Sequence, residues 1–146
     1  MIRNEREYQE ALRRLKEDEA FLAQQRQALR DLQLRPDEVE RAMEPAQSFH
    51  AQLVEEVEWY ERVRRRDFET IHAISAIGRL LIAARIANGL TQQELADRLE
   101  VSATQVSRDE RNEYHGITIE RAQLILDRLG ERVSARLDEK PLALAG

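Results

Sequence analysis

The chain has no cysteine, which excludes a disulfide framework and any thiolate chemistry. Proline and glycine are scarce, at three and five residues, and aromatics make up 5%. Breaks are therefore few and large aromatic anchors rare, while 35% of the residues are charged. That balance predicts long helices with solvated faces. The longest apolar run, Leu80–Ala84, is far short of the ~20 residues that span a bilayer. The opening residues, MIRNEREYQE, are charged where a secretory signal would be apolar. A soluble cytoplasmic protein is the expectation. His50, His72 and His115 lack metal-ligand spacing, and neither a glycine-rich phosphate loop nor an H-E-x-x-H pattern occurs. No enzyme activity, metal or cofactor is expected. The net charge is −5 and acids outnumber bases in both halves. The strongly basic body of many nucleic-acid binders is missing, although helix starts can hold phosphates through backbone N–H groups without any cation.

From Asn4 to about Leu34 the chain holds no glycine or proline. Asn4 suits an N-cap, with Glu5 and Glu7 at the positive end of the helix dipole. Tyr8, Leu15, Leu22 and Leu29 recur every seven residues, flanked by Leu12 and Leu32. The companion positions Asp18, Glu19, Gln25 and Arg26 are polar, so the pattern is a narrow stripe rather than a full zipper. Pro36, followed by Asp37 and Glu38, opens a second helix. Pro45 either restarts or kinks it. Ala46, Phe49, Leu53, Val57, Tyr60 and Val63 repeat at helical spacing, and this helix is expected to reach about Ala73. The short connection at 33–36 makes the two antiparallel, a helical hairpin over residues 1–73. Two helices bury little, so the hairpin needs a second copy or the rest of the chain for support. The run Arg62, Arg64, Arg65 and Arg66 stands among acids and fits a salt-bridged helix face. Trp59 and Tyr60 fit core or interface packing.

Residues 74–138 carry shorter helices. Ile77, Leu80, Leu81 and Ala84 mark the first, closed by Asn88-Gly89. Two helices follow from Thr91 and Ser102. Thr91 with Glu94, and Ser102 with Gln105, both fit the capping box, in which the cap oxygen and the side chain three residues later satisfy each other's backbone N–H groups. Thr118–Leu129 is a fourth helix with an apolar face of Ala122, Ile125, Leu126 and Leu129, stopped at Gly130. Val133–Leu137 suits a final turn or a strand, and residues 139–146 a flexible tail.

Two short helices joined by a few residues are the device that seats one helix in the major groove. GLTQQELADRLEVSATQVSRDERN, at 89–112, resembles the core of the lambda-repressor/Cro superfamily of XRE-type helix-turn-helix regulators, and the resemblance extends over residues 77–130. It implies double-stranded DNA as partner. It implies that Ala103, Thr104, Ser107 and Arg108 face base edges and that Gln92 touches a phosphate. It also implies that Ala96 lets two helices pack closely and that Arg85 and Glu110 form a structural ion pair. Asp109 departs from the family's apolar or aromatic residue, leaving open whether it pairs locally or ends the helix early. Asn112 stands where the family often has glycine, and a left-handed turn is expected there. A looser likeness in layout, through NEREYQEALRRL and EWYE, is to HigA-type antitoxins, which implies a protein toxin bound by the N-terminal half.

On their own chemistry, Arg108 is the best base reader, because arginine makes two hydrogen bonds to guanine. Gln92, Arg111 and Asn112 are the expected phosphate contacts. Gln105 is ambiguous, being also a capping partner. His115 fits loop structure or a phosphate contact. The sequence therefore predicts an all-α protein: an N-terminal helical hairpin for oligomerisation or partner binding, then a DNA-reading domain that regulates transcription. A homodimer acting as a repressor on a pseudo-palindrome is the expected form. A HigA-like antitoxin and a helical adaptor that does not bind DNA are the alternatives.

Overall fold

A computed structural model describes residues 1–140 and residue 143. Most of the tail expected at 139–146 lies outside the described residues. The fold is all-α, with six helices among the described residues: α1 (Glu5–Asp31), α2 (Pro36–Arg64), α3 (Ile77–Ala87), α4 (Gln92–Leu99), α5 (Ala103–Arg111) and α6 (Ile119–Leu129). A 3-10 turn, Ile74–Ala76, precedes α3.

The hairpin forms as its stripe dictates. Asn4 Oδ1 accepts the Glu7 N–H at 2.9 Å and starts α1. Tyr8, Leu12, Leu15, Leu22 and Leu29 are half-buried, and Ala11 lets the helices approach. Leu32, expected on the flank of the stripe, caps α1 and is 71% exposed. Proline at position 36 starts α2, and the helix runs through Pro45 without restarting. It stops nine residues before the expected Ala73. Arg66 takes φ 62° and the Asp67 N–H bonds back to the Arg62 carbonyl, which closes the helix. No apolar repeat pulls residues 67–73 onto a helix face. Phe49 leaves the stripe, at 71% exposed; Val39, Met43 and Trp59 are buried in its stead.

The hairpin is not held by its own seam alone. Ile2, Val57, Trp59, Tyr60 and Val63 share one apolar cluster with Leu81, Ile82, Leu95, Val106, Ile125 and Leu129. Arg79 of α3 lies over the Trp59 ring, with its guanidinium 5.8 Å from the centroid. The base of the hairpin thus packs on the shorter helices, the support that two helices need. No strand is assigned among the described residues, and Val133–Leu137 is neither turn nor strand.

Candidate nucleic-acid interface

Helices α4 and α5 are placed by their caps. The Thr91 side chain accepts the Glu94 N–H at 3.1 Å and Glu94 accepts the Thr91 N–H at 2.7 Å, a complete capping box. These two hydrogen bonds, that from the Thr91 backbone first, hold the Glu94 carboxyl below its ordinary pKa. Ser102 accepts the Gln105 N–H at 3.1 Å, but the reciprocal bond expected of Gln105 does not form. The Gln105 side chain is exposed. Between the helices Glu100 adopts φ 58°, and Ala96 and Leu95 are fully buried where they meet.

The orientation of α5 is fixed from beneath. Val106 and Glu110 are 1% exposed on its inner face. Arg85 of α3, 2% exposed, donates from Nε and Nη2 to the two Glu110 oxygens at 2.5 and 2.8 Å. Such a bidentate pair sets angle as well as distance. The remaining arginine donors are also used: Nη1 reaches the Leu90 carbonyl at 2.7 Å, and Nη2 the Arg3 carbonyl at 2.9 Å. One guanidinium thus joins α5, the start of α4 and the N-terminal arm before α1.

The outer face of α5 is open. Thr104, Arg108 and Arg111 are exposed and follow each other at spacings of four and three, along one ridge of the helix. Ala103 and Ser107 are half-buried beside that ridge. Asp109 turns away and accepts from Arg121 of α6 at 2.6 Å, so α5 neither ends early nor leaves this carboxylate free. With Glu110 locked to Arg85, both acids of α5 are neutralised. Arg108 and Arg111 form no ion pair among the described residues. A chain of net charge −5 therefore presents positive charge on this helix.

Two expected site residues sit differently. The Gln92 amide donates to Glu110 Oε2 at 2.7 Å. It buttresses the buried pair, leaving the backbone N–H groups at the start of α4 facing outward. Asn112 has φ −90°; the left-handed residues of this turn are Glu113 and Tyr114, at φ 49° and 52°. The Tyr114 N–H bonds to the Asp109 carbonyl at 2.7 Å. The tyrosine ring is buried, and its burial, with Glu110 and Asp109 nearby, pushes the phenol well above its ordinary pKa. The turn packs on Gly78, where any Cβ would overlap the Glu113 carbonyl oxygen. Gly78, Arg121 and the free Gln105 escaped the sequence reading, since each depends on what lies opposite in space. The expected reader and phosphate residues all lie on α4, α5 and the turn after α5.

Residues 81–135, less than half of the chain, match the family model described as helix-turn-helix. The C-terminal part is a helix-turn-helix domain of the lambda-repressor/Cro type. Such a domain is a DNA-binding regulatory module and not an enzyme family. No curated protein and no solved structure matches the chain. Within the helix-turn-helix domain α4 is the supporting helix and α5 the recognition helix. No single helix in the described residues is long and apolar enough to cross a membrane. His50, His72 and His115 belong to no cluster able to hold a metal ion among the described residues.

Proposed function

We propose that this chain reads a specific duplex sequence and regulates transcription as a dimeric repressor on a pseudo-palindromic operator. One observation carries the reading: α5 is bolted down through the Arg85–Glu110 pair while Thr104, Gln105 and Arg108 stand exposed on its outer side. A rigid helix with free polar side chains is what major-groove readout requires. In this reading Arg108 makes two hydrogen bonds to a guanine, worth ~1–3 kcal/mol of discrimination against other bases. Thr104 and Gln105 contact neighbouring bases. Ala103 and Ser107 are small enough to let the helix approach. Arg111, Asn112 and the N–H groups at the start of α4 hold phosphates, with Gln92 fixing that start in place. Residues 74–138 read the DNA, and the hairpin at 1–73 braces the recognition helix through the Arg3 carbonyl. Occupancy of the operator excludes other proteins from it, and two half-sites multiply the specificity of one short helix.

A second reading has its own support. Phe21 and Phe49 are 54% and 71% exposed on the hairpin, an apolar surface that fits a protein partner such as a toxin. Replacing both with serine would then abolish neutralisation of that toxin and leave DNA binding intact.

The test of the main reading is a random-oligonucleotide selection at physiological salt with wild type and Arg108→Ala. Wild type is expected to recover a motif with an invariant guanine, and the variant to lose preference at that position. Recovery of one motif by both proteins with equal affinity would overturn the assignment of α5.

A further inference from the structure

The segment after α6 has the pattern of a strand and none of a strand's partners. Its root is fixed. The Glu131 N–H bonds to the Leu126 carbonyl at 3.0 Å, and the Glu131 carboxylate accepts from Arg66 and Asn88 at 2.7 Å each. Burial alone would raise this carboxyl, but those donors outweigh it and hold the group below its ordinary pKa. Beyond that root, Arg132 to Asp138 takes up neither helix nor strand, and makes no backbone hydrogen bond among the described residues. All seven residues are exposed, Leu137 at 96%. Yet Val133, Ala135 and Leu137 alternate with Arg132, Ser134, Arg136 and Asp138, the period-two alternation of a half-buried strand. Unpaired backbone of this kind is a template for another chain.

The sequence itself names the occupant. In an antiparallel pair of identical strands, facing residues have numbers with a constant sum, and facing residues share a side of the ladder. With Ala135 on the two-fold axis, Val133 faces Leu137 and Arg132 faces Asp138. One side is then wholly apolar, and the other begins and ends in opposite-charge pairs. Moving the axis to Ser134 sets Arg132 against Arg136. Moving it to Arg136 sets Arg132 against Lys140 and Val133 against Glu139. Placing it between Ser134 and Ala135 sets Val133 against Arg136. Only the Ala135 axis satisfies charge and apolarity together, and a one-residue slip would turn every side chain to the wrong side. Arg132 and Asp138 form no ion pair within the chain among the described residues, so both are free for this use.

We infer that a second copy of this chain pairs with Arg132–Asp138 as an antiparallel ladder centred on Ala135. Arg132 meets the partner's Asp138, Val133 meets the partner's Leu137, and Glu131 stands roughly 26 Å from the partner's Glu131 along the ladder, at 3.3 Å per residue. A two-stranded ladder is a weak contact by itself, and it tightens when two copies sit on adjacent half-sites, where their effective concentration is high. The ladder supplies a surface for the dimer proposed above and rests on that reading for its purpose alone.

The experiment uses the full chain, whose lack of cysteine makes an introduced thiol unique. Ala135→Cys and Ser134→Cys are each oxidised in a glutathione buffer without DNA. Across the proposed axis the two sulfurs introduced at position 135 bridge readily, whereas Ser134 and its copy lie on a diagonal about 7–8 Å apart, too wide for a disulfide. Ala135→Cys is expected to cross-link at least tenfold faster. Adding Arg132→Asp should slow it about tenfold, and adding Asp138→Arg as well should restore the rate. Equal rates for the two cysteine variants, or a rate that ignores Arg132→Asp, would overturn the ladder. Because DNA is absent, a chain that cross-links as expected yet shows no sequence preference would count against the DNA reading alone.

Discussion

At the residue scale, the interface depends on groups that have no slack. Arg85 commits its donors to Glu110, Leu90 and Arg3, so removing Glu110 leaves a buried cation without its counter-charge. Breaking one side of a buried pair costs about 3–5 kcal/mol. Glu110→Ala is therefore expected to unfold the helix-turn-helix domain rather than retune its specificity, as urea denaturation would register. A variant with wild-type stability and altered base preference would contradict this. The pairing of Arg85 with Glu110 was legible through the resemblance, whereas the third and fourth bonds of Arg85 depend on where other chain segments come to lie. Tyr114 is the opposite case. Its buried hydroxyl has no hydrogen-bond partner among the described residues. Tyr114→Phe removes a desolvated polar atom and should raise stability by about 1 kcal/mol. The raised phenol pKa adds a pH signature. The unfolded chain releases this proton near the ordinary value of 10, while the folded chain holds it longer. Its contribution is full below pH 10 and is lost as the pH climbs beyond, so the variant should show a shallower alkaline loss of melting temperature. A clear drop in stability for Tyr114→Phe would reveal a bond to that hydroxyl.

At the scale of elements, start signals were legible in the sequence and stop signals much less so. Asn4, Thr91, Ser102 and Thr118 all cap the helices expected of them, because a capping oxygen acts on N–H groups within three residues. The end of α2 at Arg64 and the left-handed turn at Glu113 and Tyr114 were missed. Both are set by packing against other elements, which overrides the local preference of asparagine for such turns. Pro45 leaves the helix unbroken, with Met43 buried and Ala46 half-buried on either side of it, so the packed face carries α2 across. The contact between α3 and the turn after α5 makes the sharpest prediction at this scale. Alanine is a better helix former than glycine by about 1 kcal/mol, so Gly78→Ala judged on propensity would stabilise α3. The Cβ would instead drive into the Glu113 carbonyl, and overpacking against a backbone that cannot swing aside should cost about 3 kcal/mol. Thermal denaturation decides between the two signs, and a stabilised Gly78→Ala would show the turn to be movable.

At the scale of the whole molecule, the all-α class and the helix-turn-helix were legible because period, caps and the α4–α5 motif agreed over adjacent segments. The charge of the interface was not. A net charge of −5 argued against DNA, and only the pairing of Asp109 and Glu110 with Arg121 and Arg85 shows how α5 comes to present two free arginines. The docking of the hairpin on the shorter helices was equally hidden, since no local pattern marks Ile2 or the Arg3 carbonyl as part of the core. The central claim is that the outer face of α5 enters the major groove. Methylation interference on the selected duplex tests it most directly, since N7-methylguanine alters the major groove alone. Wild type is expected to lose binding when the methyl lies under α5, and Arg108→Ala to become indifferent to at least one of those positions. Interference confined to the minor groove, or identical patterns from both proteins, would contradict the account.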